Sequence, residues 1–157
     1  MTTIRRREPA KIRTQIDETG KIFEKFGLAP MNGRVLALFT VSDSSELTFD
    51  EIVTFFGASK SVISTSLTFL LNTKLIDYKT VNTGRKRYFY LTDRFFVVYF
   101  SNVISAMTDL RETLYKTISE RSPKTPDVNT RMIRWIETAN VFERHLQAAN
   151  EQIRKDY

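Results

Sequence analysis

Apolar residues recur along this chain first at helical spacing, then in two short alternating runs, then at helical spacing again. Ile12, Ile16, Phe23 and Phe26 stand at intervals of four, seven and three, which predicts a helix from about Lys11 to Phe26 with Gly27 as its stop. Pro30 suits a first helical turn, and Val35, Leu36, Leu38 and Phe39 carry a second helix until Ser42-Asp43-Ser44-Ser45 breaks it. A compact pair follows. Thr48 caps a short helix through Phe56, with Glu51 completing a capping box; Gly57 ends it, and Ser59 caps the next helix through about Thr73. From Leu75 the period changes: Leu75 to Val81 is short and partly alternating, Asn82-Thr83-Gly84 has turn chemistry, and Arg87 to Leu91 alternates again. This reads as a β-hairpin with a basic tip.

Beyond the hairpin, Phe96, Phe100, Val103, Met107, Leu110 and Leu114 follow spacings of 4, 3, 4, 3 and 4. They form one apolar seam on a helix about 40 Å long, which Pro123 and Pro126 are expected to end. Trp135, Ala139, Phe142, Leu146, Ala149 and Ile153 repeat the same spacing. Two long heptad-patterned helices exceed what a monomer of 157 residues needs, and a second copy of the chain would cover their seams. The expectation is a homodimer with Phe100, Met107, Leu110, Trp135, Phe142 and Leu146 at its interface. The alternative is an intramolecular pairing of the two helices.

Composition narrows the chemistry. With no Cys and one His, the chain lacks disulfides, thiolate zinc sites and iron-sulfur clusters, and it has little for a metal or an acid-base pair. No phosphate-cradling Gly-rich loop, paired carboxylates or activated nucleophile is visible, so neither an enzyme nor a cofactor is expected. Met1 to Arg13 carries no apolar stretch of the secretory type, and the longest apolar run, Phe95 to Phe100, has six residues where a membrane span needs about 20. A reducing cytoplasm is the expected compartment.

Charge adds a partner. Residues 1–13 hold Arg5, Arg6, Arg7, Lys11 and Arg13 against Glu8, and residues 57–92 hold Lys60, Lys74, Lys79, Arg85, Lys86 and Arg87 against Asp77. These segments carry net +4 and +5 in a chain of +6, so the rest is mildly acidic. Two basic segments on such a body suggest a polyanion-binding face. Helix, helix, tight turn, helix, hairpin is moreover the order of a winged helix-turn-helix. The second helix of the motif presents Lys60, Ser61, Val62, Thr65 and Thr68 opposite its apolar face, without an acid, and such a surface enters a major groove without repelling phosphate. There Val62 is placed to touch a thymine methyl. Thr83-Gly84-Arg85-Lys86-Arg87 at the hairpin tip supplies minor-groove and phosphate contacts.

Phe26-Gly27-Leu28-Ala29-Pro30-Met31-Asn32-Gly33-Arg34, Leu47-Thr48-Phe49-Asp50-Glu51-Ile52, Ala58 to Leu67 and Gly84-Arg85-Lys86-Arg87-Tyr88-Phe89 together resemble the MarR superfamily of bacterial regulators, and within it the GbsR-like branch. The resemblance covers roughly residues 11–120. It implies a homodimeric, cytoplasmic repressor that binds an inverted repeat in double-stranded DNA, with terminal helices forming the dimer body. It also implies that Arg85 is the wing-tip arginine and that Ser59, Lys60, Ser61, Ser64 and Thr65 lie on the DNA-contacting helix. Thr65 stands where many relatives carry Arg. The fold expected is mainly α with a small β-hairpin: one domain over 1–157, with a DNA-binding lobe at 30–92 and a helical dimerisation lobe at 11–27 and 93–157.

Other features admit plainer readings. The Arg-rich stretch before Lys11 matches no motif of the family and is either an arm on DNA or a solubilising tail. Phe23, Phe26, Phe39, Phe95, Phe96, Tyr99, Phe100 and Trp135 suggest an aromatic cage for a quaternary ammonium ligand, but most fall on core stripes and are read as packing. A small-molecule effector is left open, with choline and betaine the first to try on resemblance. His145 reads as a surface or interface residue, and Gly33, inside a helical pattern, as a point of close helix approach. Two other function classes remain: a winged-helix module that binds protein, which has no need of a basic wing, and a nonspecific architectural DNA binder.

Overall fold

The computed structural model describes residues 9–81, 86–122, 124 and 126–156. Their elements run in the order α1 (Pro9–Lys25), α2 (Pro30–Val41), β1 (Leu47–Thr48), α3 (Phe49–Phe56), α4 (Lys60–Asn72), β2 (Ile76–Thr80), β3 (Arg87–Leu91), α5 (Phe95–Glu120) and α6 (Pro126–Asp156). The fold is the mainly helical winged helix-turn-helix that the pattern predicts, with two corrections. The hairpin belongs to a three-stranded antiparallel sheet of order β1-β3-β2, in which Leu47 pairs with Phe89 and Thr48 with Tyr88. Pro126 starts α6 rather than closing α5, and Pro123 lies outside the described residues. The chain divides into two compact units between Phe95 and Phe96.

The first unit is built around α2. Val35, Leu36, Ala37, Leu38 and Phe39 are all buried, five successive positions that point in every direction from the helix axis. Ile12 and Ile16 of α1 pack on one side, and α4 and β3 on another. Ile52, Ile63, Leu67, Leu70, Leu75, Ile76 and Phe89 complete the core. Each of these large side chains contributes about 1.5–3 kcal/mol by leaving water.

Two glycines set how closely α1 crosses α2. A Cβ added at Gly33 would sit 2.9 Å from the Gly20 carbonyl oxygen and 3.4 Å from the Phe23 Cβ, and one added at Gly20 would sit 3.1 Å from the Arg34 Cγ. The close approach expected at Gly33 is thus present, with Gly20 as its partner. Beside the crossing, Arg34 Nε pairs with Asp17 Oδ1 at 3.0 Å.

In the second unit α5 and α6 run antiparallel, and polar side chains join them. Thr108 Oγ1 donates to Glu143 Oε1 at 3.0 Å, Arg111 Nη1 to Glu143 Oε2 at 2.7 Å and to Asn140 Oδ1 at 3.2 Å, and Asn150 Nδ2 to Ser101 Oγ at 3.2 Å. Gln147 Nε2 adds a third donor to Glu143 at 3.3 Å. The buried line of α6 is therefore Met132, Ile136, Glu143 and Asn150, a heptad stripe that shares no residue with the apolar seam read from the sequence, of which Ala139, Leu146 and Ile153 are half-buried and Trp135, Phe142 and Ala149 exposed.

Gly33→Ala is expected to lower the unfolding free energy by about 1–2 kcal/mol even though Ala favours helix by about 1 kcal/mol, because the methyl group meets backbone. Denaturant titration of the two proteins measures this; an unchanged midpoint would place the helices further apart. In the second unit, Arg111→Leu alone strands the buried Glu143 carboxylate and is expected to cost about 3 kcal/mol. The Arg111→Leu, Glu143→Leu double variant should recover most of that loss in the same titration.

Candidate nucleic-acid interface

The helix-turn-helix is fixed at each joint by side chains whose chemistry suits the backbone there. Thr48 N donates to Glu51 Oε2 at 2.8 Å while Glu51 N donates to Thr48 Oγ1 at 3.4 Å, the reciprocal box that starts α3. Gly57 ends α3 at φ 61°, a left-handed conformation in which glycine carries no Cβ penalty, and its N–H donates to the Val53 carbonyl at 2.9 Å. Two residues on, the Ser59 hydroxyl accepts from Val62 N at 3.3 Å and starts α4.

These joints turn one face of α4 to the core and leave the other in water. Ile63, Ser66, Leu67 and Leu70 are buried, with Leu71 half-buried. Lys60, Ser61, Val62, Ser64, Thr65 and Thr68, all singled out in the sequence, lie together on the exposed side with the cap Ser59. No Asp or Glu occurs between Glu51 and Asp77, so this face carries no negative charge of its own. The Thr65 hydroxyl donates to the Ser61 carbonyl at 3.0 Å, which commits its proton inside the helix.

The wing follows in strict register, with Ile76 opposite Leu91, Tyr78 opposite Phe89 and Thr80 opposite Arg87. Arg87 lies over the Tyr78 ring at 4.5 Å and Lys86 over the Tyr88 ring at 6.0 Å, and neither makes an ion pair among the described residues. A cation over an aromatic face keeps its charge and loses some of its freedom. Lys79 is different: its Nζ pairs with Glu46 Oε1 at 2.6 Å and is neutralised. Arg85, with Asn82, Thr83 and Gly84, lies outside the described residues, as do Arg5, Arg6 and Arg7.

Three contributors escaped the sequence reading. Arg13, counted there only as charge, has its Nη2 donating to the Phe55 carbonyl at 2.8 Å and its guanidinium 4.9 Å from the Phe55 ring, which ties α1 to the end of α3. Lys74, at φ 58°, takes a left-handed turn between α4 and β2, where the Thr92 hydroxyl donates to its carbonyl at 2.7 Å. Tyr78 supplies the ring under Arg87. Arg13 and Lys74 gave a sequence signal only as charges; the turn at Lys74 and the place of Tyr78 depend on strand register and on contacts between residues far apart in the chain.

In the second unit the apolar positions sort into two sets. Phe100, Met107 and Leu146 are half-buried, whereas Trp135 is 65% exposed, Phe142 57%, Phe96 56% and Leu110 51%. Val128, Trp135 and Phe142 stand seven residues apart along α6, on a line separate from the buried stripe. In the first unit Phe23 and Phe26 each meet the Phe95 ring at a centroid distance of 5.3 Å, tilted and edge-on respectively, as packed aromatic rings do. His145 is exposed. No helix among the described residues is long and apolar enough to cross a membrane.

The chain is similar in structure to a crystal structure described as a transcriptional regulator, with a TM-score of 0.74 and 23% identity over 92% of this chain and 99% of that one. Two structures of S. aureus MepR, a point mutant and a complex with DNA, share 16% and 17% identity over 82% of this chain and 90% of theirs, with TM-scores of 0.42 and 0.43. No protein-family model and no curated protein sequence matches the chain. The first of these likenesses corroborates the winged-helix fold.

Proposed function

We propose that this protein is a sequence-specific DNA-binding transcriptional regulator, with α4 as the helix that enters the major groove and the β2–β3 wing as the second contact. The observation that carries the reading is the exposed face of α4. From Ser59 to Thr68 it is capped at its start, free of acids, and composed of one cation, hydroxyls and a small apolar side chain. A helix face meant only for water would mix both signs of charge, and one meant for a protein partner would not need Lys86 and Arg87 on the wing, which make no ion pair among the described residues. Lys60, Lys86, Arg87 and Arg85 act on phosphate and the minor groove, while Ser61, Val62, Ser64, Thr65 and Thr68 face base edges.

The reading extends to a homodimer. Trp135, Phe142 and Leu110 are large, apolar and exposed, which suits contact with a second copy of the chain. That copy meets these side chains with an identical surface about a two-fold axis. Phe100, Met107 and Leu146, half-buried already, would border that contact. The resemblance to the MarR superfamily and its GbsR-like branch supports a cytoplasmic repressor, an inverted-repeat operator and release by a small effector.

Selection of bound fragments from random duplex DNA is the test of class. The expected product is an inverted repeat with half-sites about one helical turn apart; equal recovery of all sequences would leave a nonspecific binder, and no recovery would favour a protein-binding module. On the selected operator, Lys60→Ala and Lys86→Ala should each weaken binding to every sequence and reduce the slope of log affinity against log salt by about 0.9 per lost phosphate contact. Because Trp135 and Phe142 are exposed, Trp135→Asp, Phe142→Asp is expected to leave a folded chain that sediments as a monomer. An unchanged dimer would place the interface elsewhere. Calorimetry with choline and betaine, followed by operator binding in their presence, tests the effector; no heat and no change in affinity with either would remove the resemblance-based candidates.

A further inference from the structure

We infer that α4 selects thymine through its 5-methyl group, so that the operator half-site carries thymines at the steps beneath Val62 and Thr65. The inference rests on the DNA-binding reading above and adds the chemistry of what is read. The water-facing half of α4 is not uniform along its width. Val62, Thr65 and Phe69 follow one another at intervals of three and four on one margin, with Val62 42% and Phe69 38% exposed, while Lys60 and Ser64 lie on the other margin. Leaving such apolar surface on an otherwise polar helix face is unfavourable unless something covers it.

The polar groups on that margin are largely spent. Val62 N donates to the Ser59 hydroxyl at 3.3 Å, which spends the Val62 backbone donor on the cap. The Thr65 proton goes to the Ser61 carbonyl at 3.0 Å, so Thr65 offers DNA a methyl group and an acceptor lone pair but no donor. Bidentate reading of guanine takes Arg or Lys, and bidentate reading of adenine takes Asn or Gln. From Ser59 to Phe69 there is no Arg, Asn or Gln, and Lys60 is the sole cation. The major-groove feature left for the Val62 and Thr65 margin is the thymine methyl, which Thr methyl groups and other apolar side chains contact.

The experiment uses the full chain and a duplex of about 30 base pairs containing the selected operator, in which each thymine is replaced singly by deoxyuridine. This removes one methyl group and keeps every hydrogen bond. Two thymines in each half-site are expected to be sensitive, each with a three- to fivefold loss of affinity, the size of one methyl leaving an apolar contact. Val62→Ala should abolish the sensitivity at one step. Thr65→Ser, which keeps the hydroxyl and drops the methyl, should abolish it at the other, whereas Thr65→Val, which drops the hydroxyl, should preserve it. Both positions of change are on the water-facing side, and unchanged circular dichroism melts check that the three variants fold. Tight operator binding that is indifferent to every deoxyuridine, or a sensitivity kept by Thr65→Ser and lost in Thr65→Val, would overturn methyl reading while leaving the regulator intact. Failure to bind any duplex would overturn both.

Discussion

The close crossing of α1 over α2 governs the geometry of the first unit. Gly20 and Gly33 bring the two backbones near enough that a single methyl group would collide with a carbonyl oxygen. With α1 seated there, α2 has no water-facing apolar residue between Val35 and Phe39, and the helix-turn-helix and sheet close over its remaining sides. Arg13 then reaches from α1 to the last carbonyl region of α3. The positions of the elements proposed to meet DNA are thus inherited from a contact between two helices that carry none of the candidate recognition residues.

The second unit solves a different problem. Two long helices with apolar seams have several ways to pair, shifted by a heptad or reversed, and purely apolar contacts discriminate poorly among them. Glu143, held by Thr108, Arg111 and Gln147, and Asn150, held by Ser101, satisfy their hydrogen bonds in one antiparallel alignment. A slip by one turn would leave a carboxylate buried without its cation. By spending the inner face of α6 on this network, the chain leaves Trp135 and Phe142 outward.

Much of this was legible in the residues. The capping box at Thr48, the stop at Gly57, the cap at Ser59 and the start at Pro30 are local events, settled by side-chain reach within three or four positions, and each stands where the sequence put it. The face of α4 was legible for the same reason, since helical periodicity alone separates Ile63, Leu67 and Leu70 from Lys60, Ser61 and Thr65. What escaped depends on distant partners. The two residues of β1 are too few to show alternation and are strand only because β3 lies beside them. The buried stripe of α6 contains Glu143 and Asn150, which a hydrophobic pattern discounts and which are tolerable inside only because α5 supplies their partners. Lys74 takes a conformation typical of glycine, held by Thr92 eighteen residues away.

The division of α4 into a core half and a water half has a consequence for how such a protein diversifies. Ile63, Ser66, Leu67 and Leu70 hold the fold, and none of the exposed residues on the opposite side shares that duty. Substitutions at Ser61, Val62, Thr65 or Thr68 therefore change the chemistry of the exposed face at almost no cost in stability, since exposed positions away from caps typically shift it by less than about 0.5 kcal/mol. On the proposed DNA-binding role, duplicated copies of this gene would be free to drift toward new target sequences one side chain at a time, without first acquiring a compensating mutation in the scaffold.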